Sequence, residues 1–326
     1  MSPSREAPAR RHAALVANPR SGGGKVPRFR LADVAEPLGA RVLLTDPDRD
    51  AGALARGALA DGAEVLAVAG GDGTVATVAA VAADAGVPLV VVPAGTRNHF
   101  ARDLGLDIRD PAAALLALRD AEQVRVDLGT VAGRTFVNNV SFGVYADALL
   151  DPGYRDAKAR ALATVAGPYL GGRQWVEATV DTPHGEIERP QLVLVSNNPY
   201  HLATPRYLGR RFALDGGTLG GIVVRRLAPP PPAPLPRPPH DAAEPAPGSG
   251  DEGLVTWSAP RVTLRGAAPA VAAGVDGESV TLPLPLTCLI RPLALRVLLP
   301  ADRPGTPREP RVSRPPRLPG RRPHAG

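Results

Sequence analysis

An acidic residue, Asp72, stands among three glycines in the segment G-G-D-G-T, residues 70–74. An apolar run typical of a buried parallel strand, Val65–Ala69, precedes it, and apolar residues at helical spacing follow. A strand that breaks into a glycine-rich turn and then a helix directs backbone N–H groups and a positive dipole end at one point, which predicts a phosphate site. An acid there must bind a metal ion or handle a proton, since it otherwise repels phosphate. The alternative is a tight turn in which Asp72 bonds its own backbone.

Two further apolar runs also end in polar loops that contain glycine. Ala13–Ala17 leads into N-P-R-S-G-G-G-K, residues 18–25, whose spacing is not that of a Walker A loop. Val87–Val92 leads into P-A-G-T-R-N, residues 93–98. Because the carboxyl ends of parallel strands meet at one edge of a sheet, these loops are expected to share one binding crevice. Thr45 ends another short run and is either a contact in that crevice or a helix-capping or turn residue.

The order of these patterns indicates the fold class. In residues 12–125, apolar runs alternate with helix-like segments such as Ala51–Ala60 and Asp110–Arg119, which predicts an α/β domain with a parallel sheet. Short alternating segments separated by turn residues then predict an antiparallel β domain over residues 126–300. Its strands are expected at residues 124–127, 135–140, 175–180, 191–196, 220–225, 261–264 and 295–299, with a helix at 157–166.

Proline is concentrated where the chain is not expected to form packed elements. The 326 residues include 38 prolines, and residues 228–250 begin with the run A-P-P-P-P-A-P. We expect this segment to be a disordered insertion in the β domain. Residues 1–11 and the Arg/Pro-rich residues 301–326 are expected to be disordered tails.

The net charge and the motifs limit the chemical class of partner that the protein can bind, and the cysteine content limits its disulfides. A net charge of +6 and an isoelectric point near 10.0 fit an anionic partner such as a nucleotide, a nucleic acid or an acidic lipid surface. The sequence has no recognisable nucleic-acid reader module, so no nucleic-acid partner is expected. The single cysteine, Cys288, excludes an internal disulfide. With no spanning apolar run and no signal-peptide pattern, we expect a cytoplasmic protein with peripheral contact at the inner face of the membrane.

Taken together, the motifs resemble the catalytic domain of the diacylglycerol kinase and sphingosine kinase superfamily, with soluble bacterial lipid kinases as the nearest match. The resemblance rests on N-P-R-S-G (18–22), G-G-D-G-T (70–74) and P-A-G-T-R-N-H-F-A-R-D-L-G (93–105). The motifs V-D-L-G (126–129), N-N-V-S-F-G (138–143) and V-D-G-E (275–278) follow in the family's order. The resemblance implies a Rossmann-like domain, similar to those of NAD kinases and phosphofructokinases, that binds ATP. It also implies a C-terminal β-sandwich that holds a lipid.

The same resemblance assigns roles to individual residues. It makes Glu278 the catalytic base, places Asp72 at the nucleotide, the metal ion and the transferred proton, and adds Asp127 as a third acid of the site. ATP and Mg²⁺ are the implied cofactors. The residues implied in nucleotide binding are Asn18, Pro19, Arg20, Ser21, Gly22, Lys25, Thr45, Gly70, Gly71, Asp72, Gly73, Thr74, Thr96 and Asn98.

Three departures from the family pattern bear on the site. Ala76 and Thr77 stand where an Asn-Glu pair is usual, which removes an acid from the first turns of the helix. Arg97 and His99 stand where Gly and Asp are more usual, so a positive side chain could reach a phosphate or an anionic headgroup. Gly216 replaces the second of two consecutive Asp residues, so we expect the structural Mg²⁺ site of the family to be lost and assign no metal ligands there.

Three hypotheses for function remain. The leading one is an ATP-dependent kinase of a lipid alcohol such as diacylglycerol, which binds its lipid substrate at the membrane surface. The alternatives are a kinase of a soluble substrate, as in NAD kinases, and a nucleotide- or lipid-binding relative without turnover. The oligomeric state stays open, with a dimer among the alternatives. Five apolar residues are expected either to line a lipid cleft or to form ordinary sandwich core. They are Phe136, Val140, Phe142, Val144 and Tyr145.

Overall fold

The computed structural model describes residues 12–143, 175–203, 209–225 and 253–301. The expected helix at 157–166, the proline-rich segment 228–250, residues 1–11 and residues 302–326 lie outside the described residues. Within the described ranges, no helix is long and apolar enough to cross a membrane.

A parallel sheet forms the N-terminal part of the molecule. Its strands β1 (Ala13–Ala17), β2 (Ala40–Leu44), β3 (Val65–Gly70) and β4 (Leu89–Pro93) lie in the order β2-β1-β3-β4. Every residue of β1, β3 and β4 is buried, which explains why their sequences are continuously apolar. The chain passes from β1 to β2 on one side and later to β3 on the other, so the topological switch point lies between β1 and β3.

Helices connect these strands. They are α1 (Lys25–Arg28), α2 (Leu31–Ala35), α3 (Ala51–Ala60), α4 (Asp72–Ala85) and α5 (His99–Asp103), with 3₁₀ turns at Ser21–Gly23, Glu36–Leu38 and Ala113–Leu118. Helix α3 begins where its sequence predicts, because Asp50 caps it by accepting a hydrogen bond from the amide of Ala53 (2.8 Å). Helix α4 begins at Asp72, immediately after the Gly70–Gly71 turn, so the acid of the G-G-D-G-T motif lies at its first turn.

The C-terminal part is antiparallel. Its strands are β5 (Ala121–Val131), β6 (Arg134–Phe136), β7 (Asn139–Gly143), β8 (Thr179–Thr182), β9 (Gly185–Glu188), β10 (Leu192–Asn197), β11 (Leu219–Val224), β12 (Leu254–Ala259), β13 (Arg261–Arg265), β14 (Ala270–Val275), β15 (Glu278–Pro283) and β16 (Leu286–Pro300). One antiparallel sheet has the order β12-β11-β10-β7-β14-β15. It packs on β13, β8, β9 and the adjoining halves of β5 and β16, with Phe142, Leu264 and Cys288 fully buried between the sheets. The predicted fold class, an α/β domain followed by an antiparallel β domain, is confirmed.

The long strands β5 and β16 run through both parts of the molecule. Residues 295–300 of β16 pair with residues 121–126 of β5 and lie parallel to β4. The other halves of the two strands belong to the sandwich, and the pairing shifts register between Arg291 and Leu295. The boundary drawn from the sequence at residues 125/126 therefore falls inside β5, and the last strand returns to the N-terminal sheet.

Two expected elements take a different form. The helix predicted at Asp110–Arg119 is instead a 3₁₀ stretch at Ala113–Leu118, and the Asp110 side chain accepts a hydrogen bond from the amide of Ala113 (3.2 Å). The strand predicted at residues 135–140 is interrupted between β6 and β7. The amides of residues 137–139 donate to the carboxylate of Asp276 rather than to a neighbouring strand.

Three of the five apolar residues considered for a lipid cleft lie in the part of the chain that the structure describes. Phe136, Val140 and Phe142 have no exposed surface and lie in the core between the two sheets. They are therefore sandwich core and do not line a cleft. Val144 and Tyr145 lie outside the described residues.

Candidate active site

The loops after β1, β3 and β4 converge at the carboxyl edge of the parallel sheet, as the sequence predicts. The amide of Asn18 donates to the carbonyl of Ala69 (2.9 Å), which ties the first loop to the end of β3. The Lys25 ammonium donates to the carbonyl of Gly95 in the third loop (3.0 Å). Gly22 has φ of 57°, and a Cβ there would lie 2.5 Å from the carbonyl oxygen of Ala94, so this close approach requires glycine.

The second and third loops touch through their backbones. A Cβ on Gly95 would collide with the Cα of Gly71 and lie 2.9 Å from Oδ1 of Asn98. The Asn98 side chain accepts from the amide of Gly95 (2.7 Å) and donates to its carbonyl (2.8 Å), which fixes the turn. Asn98 thus shapes the third loop, while Thr96 beside it is exposed toward solvent.

This arrangement fits the phosphates of a nucleotide. Helix α4 is 14 residues long, and its N-cap residue Gly71 makes no side-chain cap. Its first amides have no carbonyl partner one turn earlier, so they are available to an anion, which the helix dipole also favours. With glycines at residues 70, 71 and 73, no side chain separates a phosphate chain from these amides. Thr45 lies half-buried at the end of β2, where its amide donates to Ala17 (2.9 Å).

Asp72 links this cradle to helix α5. Its carboxylate accepts hydrogen bonds from the amides of His99 and Phe100, both at 3.3 Å. Partial burial lowers the pKa of the His99 imidazole below its ordinary value, and the charge of Asp72 opposes that shift. The histidine that stands where the family has Asp therefore lies beside the acid of the phosphate loop.

Glu278 reaches the same loop from the β domain. Asp276 and Gly277, with φ of 48° and 85°, form the tight turn of the β14–β15 hairpin, and Glu278 follows as the first residue of β15. The Glu278 carboxylate lies directly against Gly73, because a Cβ on that glycine would collide with Oε1 and lie 2.7 Å from Cδ. Asp72 and Glu278, 206 positions apart in the numbering, are thus brought to the same turn. Arg97 lies beside this hairpin, with Nη1 3.4 Å from where a Cβ of Gly277 would be.

Asp276 is a site residue that the sequence did not single out. Its carboxylate accepts from the amides of Val137 (2.8 Å), Asn138 (2.8 Å) and Asn139 (3.1 Å). Burial raises its pKa to about 7, those three bonds oppose the shift and the charge of Asp72 adds to it. In the sequence, Asp276 is half of an Asp-Gly turn signal, which predicts a hairpin and gives no indication of its partners.

Asp127 lies away from the phosphate loop contacts and is fully buried. Its carboxylate accepts from the amides of Leu293 (2.7 Å) and Gly217 (2.7 Å) and from the side-chain amide of Asn198 (2.8 Å). These bonds hold the irregular segment of β16 and the loop around Gly216 against β5. This geometry is that of a structural carboxylate, and the catalytic role implied for Asp127 stays a prediction.

A cavity of about 150 Å³ adjoins Glu278 between helix α4 and the β domain. Its walls combine apolar and polar side chains. Ala76 and Thr77, the two residues of α4 that depart from the family pattern, both line it. The lining residues are Gly73, Ala76, Thr77, Ala80, Arg134, Thr135, Val275, Asp276, Glu278 and Val280. Across the described ranges, no group of three or more His, Cys, Asp or Glu side chains is arranged to hold a metal ion.

The fold and these contacts define a class: an α/β domain with a glycine-rich cradle that fits phosphates, joined to an antiparallel β domain whose Glu278 lies against that cradle. Residues 12–131 match the family model of the diacylglycerol kinase catalytic domain. The chain is 36% identical over 152 residues to a probable lipid kinase YegS-like of Pseudomonas fluorescens, an alignment that covers 46% of this chain and 49% of that protein. It is 33% identical over 126 residues to a diacylglycerol kinase of Mycobacterium tuberculosis, covering 36% and 39%.

The chain thus matches about half or less of the length of these curated relatives. A crystal structure of a putative diacylglycerol kinase from Bacillus anthracis superposes with a TM-score of 0.62 at 19% identity, over 89% of this chain and 97% of that one. That likeness shows the fold. The resemblance to the diacylglycerol kinase and sphingosine kinase superfamily is confirmed, and its sequence support lies in the N-terminal domain.

Proposed function

We propose that this protein is an ATP-dependent lipid kinase that transfers the γ-phosphoryl group of ATP to the hydroxyl of a lipid alcohol such as diacylglycerol. The observation that carries the proposal is the placement of the Glu278 carboxylate on Gly73, one residue from Asp72 at the start of α4. An acid from one domain faces a phosphate cradle in the other. The similarity to lipid kinases supplies the class of acceptor.

In this proposal the chain's own groups position the phosphates and handle one proton. The loops after β1, β3 and β4 hold the triphosphate, and Glu278 accepts the proton of the acceptor hydroxyl. The freed oxygen bonds to the γ-phosphorus while the bond to the β–γ bridging oxygen breaks, and ADP leaves. Mg²⁺ bound with ATP would neutralise phosphate charge, and Asp72 and Glu278 are the acids at this turn that would help hold it. Asp72 is oriented by the amides of His99 and Phe100.

The cavity beside Glu278 supports a small headgroup as the acceptor. At about 150 Å³ it holds the volume of about five waters, at roughly 30 Å³ each. Pockets that enclose drug-sized ligands measure about 300–1,000 Å³. A glycerol-sized headgroup fits this space while its acyl chains remain in a bilayer. Contact with the inner face of the membrane is therefore part of the proposal.

The test is phosphorylation of defined acceptors. The purified protein is incubated with γ-labelled ATP and Mg²⁺ and offered diacylglycerol in mixed micelles, a total lipid extract, NAD and fructose 6-phosphate. We expect label in lipid only. Label in a soluble acceptor, with none in any lipid, would instead support the soluble-substrate alternative.

Two variants connect that activity to the site. Glu278→Gln and Asp72→Asn should each lower kcat by about 10²–10⁴-fold, the usual contribution of a positioned proton acceptor or charge. Circular dichroism and thermal melting serve as folding controls. Near-normal rates in both folded variants would show that the active site lies elsewhere.

A further inference from the structure

A buried arginine connects the two sides of the candidate site. Arg211 has no exposed surface, and its guanidinium lies between helix α5 and the segment that joins β6 to β7. Nε donates to Oδ2 of Asp103 at 2.8 Å, where Asp103 is the last residue of α5 and is 3% exposed. On the other side, Nη1 donates to the carbonyl of Val137 (2.6 Å) and Nη2 to Oδ1 of Asn138 (2.7 Å).

Each end of this bridge holds one acid of the site. Helix α5 carries the amides of His99 and Phe100 that bind the carboxylate of Asp72. The residues contacted at the other end, Val137 and Asn138, donate their amides to the carboxylate of Asp276, two positions before Glu278. The Glu278 carboxylate in turn contacts Gly73, which is the residue after Asp72. Bonds and contacts thus form a closed ring around the site, and Arg211 closes it by bonding both α5 and the Val137–Asn138 segment.

We propose that Arg211 is a positioning residue that fixes Glu278 relative to the phosphate cradle, through Asp103 on one side and the Val137–Asn138 segment on the other. The proposal rests on the proposed kinase function only for its kinetic readout. The planar guanidinium is needed because its separate N–H groups bond both sides at once. A lysine retains the charge but has a single ammonium, which cannot span the same partners.

The neighbouring Arg210 provides a matched control. It pairs with the same acid, since Nε donates to Oδ1 of Asp103 (3.1 Å), and Nη2 donates to the carbonyl of Arg102 (3.0 Å). Both of its partners lie on α5, so these bonds tie α5 to the segment that carries Arg210 but do not reach Val137 or Asn138. Because Arg210 still neutralises Asp103 in Arg211→Lys, that variant does not leave the carboxylate without a cation.

The kinetic test compares Arg211→Lys with Arg210→Lys. Arg211→Lys should lower kcat by about 10–100-fold, the range expected when a reacting group moves by about 1 Å, while KM for ATP changes by less than about threefold because the cradle is intact. Arg210→Lys should stay within about twofold of the wild type. Equal losses in the two variants, or an unchanged kcat in folded Arg211→Lys, would overturn the proposal.

A second measurement does not depend on kinase activity or on one variant. Hydrogen exchange of the amides of residues 137–139 should speed up in Arg211→Lys and, less strongly, in Asn138→Ala, with the amides of β3 unchanged. In Arg210→Lys these amides should exchange as in the wild type. If the wild type phosphorylates nothing, the proposed function fails and this exchange pattern still decides the role of Arg211. Unchanged protection at residues 137–139 in both bridge variants would contradict it.

Discussion

A methyl group at Gly73 tests the central contact of the site. In Gly73→Ala the new Cβ would collide with Oε1 of Glu278 and lie 2.7 Å from Cδ, where ordinary contact begins at 3.4 Å. The carboxylate must therefore retreat by on the order of 1 Å, a displacement that costs about 10²-fold in rate when it moves a reacting group. The backbone has no reason to unfold, because the obstructing atoms are the end of a flexible side chain.

The assay measures kcat and KM for ATP on diacylglycerol in mixed micelles, together with the thermal midpoint. We expect kcat to fall by about 10²-fold and the midpoint to stay level, and a rise in KM for ATP would report separately any effect of the new methyl group on the phosphate cradle. The control is Gly57→Ala, an exposed glycine of α3 where a Cβ meets no atom within 4 Å. It adds the same methyl group to a helix and should raise stability by roughly 0.5–1 kcal/mol with no loss of rate.

Two results would refute this reasoning. A folded Gly73→Ala protein with near-normal kcat would show that Glu278 does not act from the position it occupies here. A fall of the thermal midpoint by many degrees would show that the clash is transmitted to the backbone, so that a loss of rate would carry no information on Glu278. Gly57→Ala separates both results from a general effect of replacing glycine in a helix.

Further predictions concern two other acids and the proline-rich segment. Asp127→Asn places an amide against backbone donors and should lower the free energy of unfolding in urea by about 3 kcal/mol; unchanged stability with a collapsed kcat would favour the catalytic assignment instead. The folded-state pKa of Asp276 is raised from 3.8 to about 7, so the native protein holds this proton more tightly than the unfolded chain. Stability relative to Asp276→Asn should therefore fall by at most about 4 kcal/mol as pH rises from about 4 to about 7, and parallel pH curves would contradict this. Deleting residues 233–249, which lie outside the described residues, should leave the thermal midpoint within about 2 °C, and a larger fall would reveal an ordered element.

The sequence predicted the parallel half of the molecule well because its signals are local. A parallel strand is covered on both faces, so Val65–Ala69 reads as an unbroken apolar run, and the glycines after it mark the turn. Helix α3 has the predicted bounds, Ala51–Ala60. The convergence of the three loops also followed from sequence, because parallel strands put their carboxyl ends at one edge. The assignment of each strand and helix needed fewer than about 20 consecutive residues.

The contacts that assemble the site depend on distant pairings. Nothing around Glu278 indicates that it meets Gly73, and without the family motifs V-D-G-E predicts only a hairpin turn. Arg211 stands in an ordinary R-R pair, and an arginine is usually exposed, so its burial 108 positions from Asp103 has no local signal. The interruption at Val137 has its cause in Asp276, 139 positions away. Register between two domains is decided by packing, which a single sequence does not display.

The acidic residues of this molecule differ in how far their carboxylate oxygens are already bonded within the fold. A carboxylate can accept a proton from a substrate only through oxygens that are not committed to the fold. Asp127 is buried and bonds three internal donors, which fasten the irregular part of β16 where that strand passes from the sandwich to the parallel sheet. Glu278 is exposed and lines the cavity beside the phosphate cradle. A carboxylate therefore holds the two domains in register at Asp127, whereas the oxygens of Glu278 remain accessible, as its proposed role as proton acceptor requires.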